Sequence, residues 1–166
     1  MVKAAPGSGC ERSPQPDSMT APIRIAVEQQ LPVSVRNGFD YITDPGNWRE
    51  YWPRLVRVES ATSWREPGDR ACVVQRILGR EVVLDMTLVR IEPYRLVEYT
   101  SKQRGLPDAR HWRHFDQTGD KLTYRIAVEY RPRPGWRSLF DRFLVRRVVK
   151  RTLRQTLANL ERRFRG

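Results

Sequence analysis

The chain has 166 residues, 39% of them hydrophobic, with five tryptophans and a formal net charge of +12. That length and composition suit one domain with its own core and exclude a wholly disordered chain. No apolar run approaches the roughly 20 residues that span a bilayer as a helix, and two cysteines are too few for a disulfide framework.

The basicity is uneven. Residues 1–22 balance to zero, whereas residues 136–166 carry ten Arg or Lys against Asp141 and Glu161, a net +8. Free cysteines fit a reducing compartment, and the N-terminus lacks the apolar segment of a secretory signal, so a cytoplasmic location is expected.

Residues 1–22 are rich in Pro, Gly and Ser, have no hydrophobic period and are expected to be a disordered tail, with Met19 a second candidate start. Residues 23–166 are expected to form a single domain. "IRIAVEQQL" alternates Ile23, Ile25 and Val27 with Arg24 and Glu28, the pattern of a strand. Pro32 and Ser34 open a short helix to about Thr43, which Asp44-Pro45-Gly46-Asn47 breaks; a second short helix covers Trp48 to Tyr51. Six strands are expected near 55–62, 70–78, 81–91, 95–102, 110–117 and 121–131. Hairpin turns fall at Leu78-Gly79-Arg80, Glu92-Pro93-Tyr94 and Thr118-Gly119-Asp120. In "KLTYRIAVEY", Leu122, Tyr124, Ile126, Val128 and Tyr130 share one face; in 81–91, Val82, Leu84, Met86 and Leu88 do the same.

A one-sided apolar sheet needs a cover. The last segment supplies it: Val149, Leu153, Thr156, Leu157, Leu160 and Phe164 recur at three or four and form one stripe. Trp136, Leu139, Phe140, Phe143 and Leu144 form a second stripe, rotated by about a quarter turn at the ideal helical period. Either this helix bends near Val145–Val148 or a short helix precedes a long one. Arg147, Arg151, Arg154, Arg162 and Arg165 fall on the side away from the first stripe. The fold class is α+β: a curved seven-stranded antiparallel sheet wrapped around a long C-terminal helix in a helix-grip arrangement, with two short helices after strand 1.

The aromatic stretch "ITDPGNWREYWP" sits in this order after the first strand. Trp48 and Trp52 are four apart and share a helical face, with Tyr51 beside them. They read either as a lid over a pocket or as core anchors for the short helices. His111 and His114 lie three apart on a strand and so point to opposite faces, which argues against a metal site. One of them faces inward with Trp112 or with Phe115. Tyr99, Tyr124 and Tyr130 are candidate inward hydroxyls. Asp85 and Arg90, in an apolar strand, are expected at the outer face in one case or both. The sequence has no G-x-S-x-G, P-loop, H-E-x-x-H or C-x-x-C motif, and catalytic residues are left unassigned.

Three stretches carry a resemblance: "ITDPGNWREYWP", "TLVRIEPYRLVEY" and "LFDRFLVRRVVKRTLRQTLANLERRF". Over roughly residues 23–164 the sequence resembles the START-like, or polyketide cyclase/dehydrase and lipid-transport (SRPBCC), superfamily. The resemblance implies a deep apolar cavity between sheet and long helix. Around it, Trp48, Tyr51, Trp52 and Met86 are expected to contact ligand, as are Tyr99, Trp112, His114 and Tyr124. Phe140, Phe143 and Leu144 complete the set from the last segment. The function expected is binding, and conceivably transport, of a hydrophobic or amphipathic small molecule such as a lipid or polyketide. One alternative is a cyclase, aromatase or dehydratase using the same cavity. Another is an interaction protein that docks an anionic partner through the basic helix. No cofactor, metal or specific nucleic acid is expected. Weak contact with an anionic membrane surface and a monomeric or homodimeric state are allowed.

Overall fold

The computed structural model of the chain describes residues 21–77, 79–103, 106–132 and 141–166. The expected tail, apart from its last two residues, and Trp136, Leu139 and Phe140 lie outside the described residues. Seven strands form one antiparallel sheet: β1 (Ile23–Leu31), β2 (Leu55–Ala61), β3 (Arg70–Ile77), β4 (Arg80–Glu92), β5 (Leu96–Gln103), β6 (Ala109–Thr118) and β7 (Lys121–Tyr130). Their order across the sheet is β1-β7-β6-β5-β4-β3-β2, so the first strand closes against the last and β1 and β2 are the edges. The turns expected at Glu92-Pro93-Tyr94 and Thr118-Gly119-Asp120 make hairpins; Leu78 of the third lies outside the described residues. Gly79 (φ 81°) and Gly119 (φ 63°) hold left-handed conformations that a side chain would strain.

Between β1 and β2 lie α1 (Val35–Thr43), a 3-10 turn (Pro45–Asn47) and α2 (Trp48–Tyr51). The Ser34 hydroxyl caps α1 by accepting from the Asn37 amide at 3.3 Å. Asp44 accepts from the Gly46 amide at 2.8 Å and turns the chain into the next element, with Pro45 at its first position. Gly38 lets α1 approach the sheet: a Cβ there would stand 2.4 Å from Leu122 Cδ2.

The two apolar stripes of the last segment meet at a π-helical turn, Asp141–Val145, followed by α3 (Arg146–Arg165). The change of pitch falls just before residues 145–148, and the segment in which a separate short helix was the alternative, residues 133–140, lies outside the described residues. Leu157 and Leu160 of α3 are buried against the sheet, and the helix packs on edge strand β1 and on α2. Gln29 of β1 donates to Glu161, and Asn159 donates to the Tyr51 carbonyl at 2.9 Å. At its far end the Phe164 ring meets Tyr41 of α1 edge-on at 5.3 Å. Arg147, Arg151, Arg154, Arg162 and Arg165 are exposed on the opposite side, as are Asp85 and Arg90 on the sheet.

The core joins Leu31, Ile42, Trp48, Val73, Leu88, Leu122 and Leu160. Trp64 was not anticipated. It sits in the β2–β3 loop with φ 55°, and its ring enters the core 5.3 Å from Trp48 and 5.6 Å from Tyr99. Asp69 fastens that loop by accepting from the Arg65 amide at 2.7 Å and the Ser63 hydroxyl at 2.9 Å.

Candidate ligand cavity

The C-terminal half of α3 clamps onto β1, while its N-terminal half stands over the middle strands. Between them is a cavity of about 150 Å³. Leu84, Ile126, Val128, Val149 and Leu153 give it apolar walls from β4, β7 and α3, and Tyr51 and Trp52 close one side. The exposed side chains of Arg54, Arg76 and Leu144 rim it.

Its polar groups come mostly from β5 and β6. Antiparallel pairing sets Tyr99 opposite His111 and Phe115 opposite Tyr124, so His111, Arg113 and Phe115 share the face of the apolar stripe of β7. Arg113 is only 5% exposed. Its Nη2 donates to the Tyr99 hydroxyl at 3.1 Å, and its Nη1 donates to the Tyr51 hydroxyl at 3.4 Å and the Ile42 carbonyl at 3.5 Å. The guanidinium also lies 5.0 Å from the Tyr99 ring centre and 5.8 Å from that of Trp52. No carboxylate partners it among the described residues. Its Nε and the hydroxyl of fully buried Tyr124 make no well-formed hydrogen bond there either, although the guanidinium lies near enough to that hydroxyl to favour its ionised form.

Burial pushes the Tyr51 hydroxyl up to about 12 against the pull of Arg113, and it pushes Tyr124 higher still. Both are neutral at pH 7. Burial pulls Arg113 the other way, but the oxygens of Tyr99, Tyr124 and Tyr51 outweigh it and keep the guanidinium protonated. Among the described residues the cavity therefore holds a full positive charge with neutral dipoles around it.

His111 stacks on Tyr99 with ring centres 4.4 Å apart, and its Nε2 is 2.8 Å from the Ser101 hydroxyl. Burial, and then the charge on Arg113, pull its pKa down to about 3. The sign of the consequence follows. Between pH 6.5 and 3 the unfolded chain binds a proton that the folded chain refuses, so stability falls as pH falls, by at most about 1.4 kcal/mol per pH unit. Urea midpoints are expected to drop between pH 7 and pH 5 in the native protein and to drop less in His111→Gln.

Of the residues expected to contact ligand, Tyr51, Trp52, Tyr99, Tyr124 and Leu144 line the cavity. Trp48 and Met86 face inward but are buried in the packed core, away from the cavity. The inward histidine is His111. His114 and Trp112 alternate onto the outer face of β6, where Trp112 lies between Arg24 (4.9 Å) and Arg110 (5.3 Å). Phe143 is 74% exposed because the π-helical turn carries it away from the sheet, and Phe140 lies outside the described residues. Tyr130 lines the cavity as an inward hydroxyl. Arg113, Ser101, Gln75 and Gln103 were not anticipated as lining residues.

Residues 22–165 match the family model described as polyketide cyclase / dehydrase and lipid transport. The chain belongs to this family. The fold of this family member is shared by solved structures of low identity. The Zhui aromatase/cyclase from Streptomyces sp. R1128 is 9% identical, with a TM-score of 0.75 over 87% of this chain and 94% of that one. A protein from Thermus thermophilus is 15% identical, with a TM-score of 0.72 over 86% and 97%. A START superfamily protein from Mycobacterium smegmatis is 12% identical, with a TM-score of 0.70 over 86% and 97%. Among curated proteins none matches the sequence significantly. No helix among the described residues is long and apolar enough to cross a membrane.

Proposed function

We propose that the protein binds a hydrophobic or amphipathic small molecule in the cavity between its sheet and α3. The observation that carries this reading is an apolar-walled space beside a fully packed core. A core residue left out of contact on one side loses dispersion energy, so the space has a cost that an apolar guest removes. The magnitude is informative. A ring-sized guest that buries roughly 200 Å² of apolar surface gains about 5 kcal/mol, at about 25 cal/mol per Å². Alone that gives a Kd of about 0.2 mM. Useful affinity and orientation need the polar groups on β5 and β6. Native mass spectrometry of protein purified from its own host tests the reading: a co-purifying small molecule supports it. A ligand-free spectrum, with no change of melting temperature across a panel of apolar compounds, would sink it.

A second reading, a cyclase or dehydratase, is favoured by one arrangement: His111, Ser101, Tyr99 and Arg113 face the same apolar space. A guanidinium there can hold an enolate oxygen, and the anion so held would offset part of what keeps the His111 imidazole from taking a proton. Binding without turnover of a poly-β-ketone mimic by the native protein would leave the first reading standing and remove this one.

A further inference from the structure

We propose that the ligand is a small carboxylic acid, about one substituted aromatic ring in size, held with its carboxylate against Arg113 and Tyr124. The inference rests on the small-molecule reading above and names the chemistry of its guest. Three observations converge on it.

The first is the unbalanced charge. A buried cation without a counter-ion is costly, and buried ions are ordinarily paired. Arg113 has no acidic partner among the described residues, and its bonds to neutral oxygens are 3.1–3.5 Å long. Charge-assisted pairs typically close to about 2.7–2.9 Å. The second is the pair of unused groups. Arg113 Nε is a donor only, and the Tyr124 hydroxyl can donate; apart from the loose approach of the guanidinium to that hydroxyl, each is buried without a well-formed hydrogen bond among the described residues. One oxyanion satisfies both. An alcohol or amine guest offers the guanidinium no charge, and a cation would be repelled. The planar fork of a guanidinium fits carboxylate and phosphate alike, but the single negative charge of a carboxylate balances the single charge of Arg113, which a phosphate dianion would exceed.

The third is size. About 150 Å³ is the volume of a cavity that takes a single benzene ring. Its apolar walls are Leu84, Ile126, Val128 and Leu153, which suit an apolar ring or short chain rather than a second polar end. At the rim, Arg54 adds positive potential that draws an anion to the entrance, while the charge of Arg76 is met by Glu81 at 3.3 Å.

Calorimetric titration of the native protein with benzoate and cinnamate, each against its matching alcohol and against phenyl phosphate, tests the inference. Each acid is expected to bind at least tenfold more tightly than its alcohol and than the phosphate. Arg113→Gln should abolish the preference by weakening the acids at least tenfold while leaving the alcohols within twofold. Tyr124→Phe, which keeps the ring and the packing, should weaken the acids three- to tenfold and serves where the arginine variant folds poorly. Proton NMR gives an independent readout: bound acid neutralises Arg113, so the His111 imidazole should titrate at higher pH in the complex. Alcohols binding as tightly as acids, tighter binding of phenyl phosphate, or an acid preference that survives both substitutions would overturn the carboxylate inference and leave the cavity as a binding site. Failure of every compound to bind would overturn both.

Discussion

Arg113→Met is expected to leave the ligand-free protein as stable as the native one or more so, although it removes three hydrogen bonds from the interior. Those bonds are long, and each acceptor has an alternative. The Ile42 carbonyl keeps the Tyr51 hydroxyl at 2.8 Å and the Trp48 indole N–H at 3.2 Å; the tyrosine oxygens border the cavity. Against that loss stands the removal of a buried charge with no anion beside it. Replacing buried ionic groups by apolar ones of similar volume has stabilised proteins by about 1–4 kcal/mol. For a domain of this size each kcal/mol moves the melting temperature by roughly 2–4 °C. Differential scanning calorimetry should therefore show an unchanged or raised transition. The same variant should lose its preference for acids, and its His111 should titrate at higher pH. A lowered transition with an unaltered preference would make Arg113 a structural strut rather than a ligand-contacting residue.

Trp48→Ala is expected to be the most damaging single change in the aromatic stretch, at about 3–5 kcal/mol. Trp48 is fully buried, meets Trp64 at 5.3 Å and Trp52 at 6.0 Å, and ties α2 to the end of α1 through the Ile42 carbonyl. Trp52, one turn on, is half-buried and borders the cavity. Trp52→Ala should cost about 1 kcal/mol but weaken cinnamate binding at least fivefold. Urea denaturation and titration of the two variants side by side check this. Equal destabilisation, with affinity intact in folded Trp52→Ala, would make both rings core.

The fold was legible because its signals are local. Period-2 alternation in β4 and β7, glycines at the turns and the i, i+3, i+4 stripe on α3 each announce an element without help from the others. The aromatic stretch was legible as a lid or a core anchor but not as to which: spacing puts Trp48 and Trp52 on one face and cannot say that one meets the core and the other the cavity. Met86 shows the same limit, since alternation gives the face of a strand but not the position along it. Arg113 and His111 were hidden for another reason. "RHWRHF" has no apolar alternation, so β6 alone does not reveal its faces. The signal lay next door: counting back from Gly119 against the clear stripe of β7 pairs Phe115 with Tyr124 and Arg113 with Ile126, which sends the arginine inward. Phe143 was misplaced because a π-helical turn changes the angular step that the stripe assumed.

The division of α3 into a clamping half and a lining half bears on how such a chain can change. Leu157 and Leu160 are buried in the packing against the sheet, and a substitution there is felt by the whole domain. Val148, Val149, Thr152 and Leu153 border empty space, so altering their size trims or enlarges the guest chamber with few partner atoms to disturb. The scaffold thus tolerates drift at the residues that border the cavity and resists it at those that hold the grip. Solved structures keep this architecture at 9–17% identity to this chain.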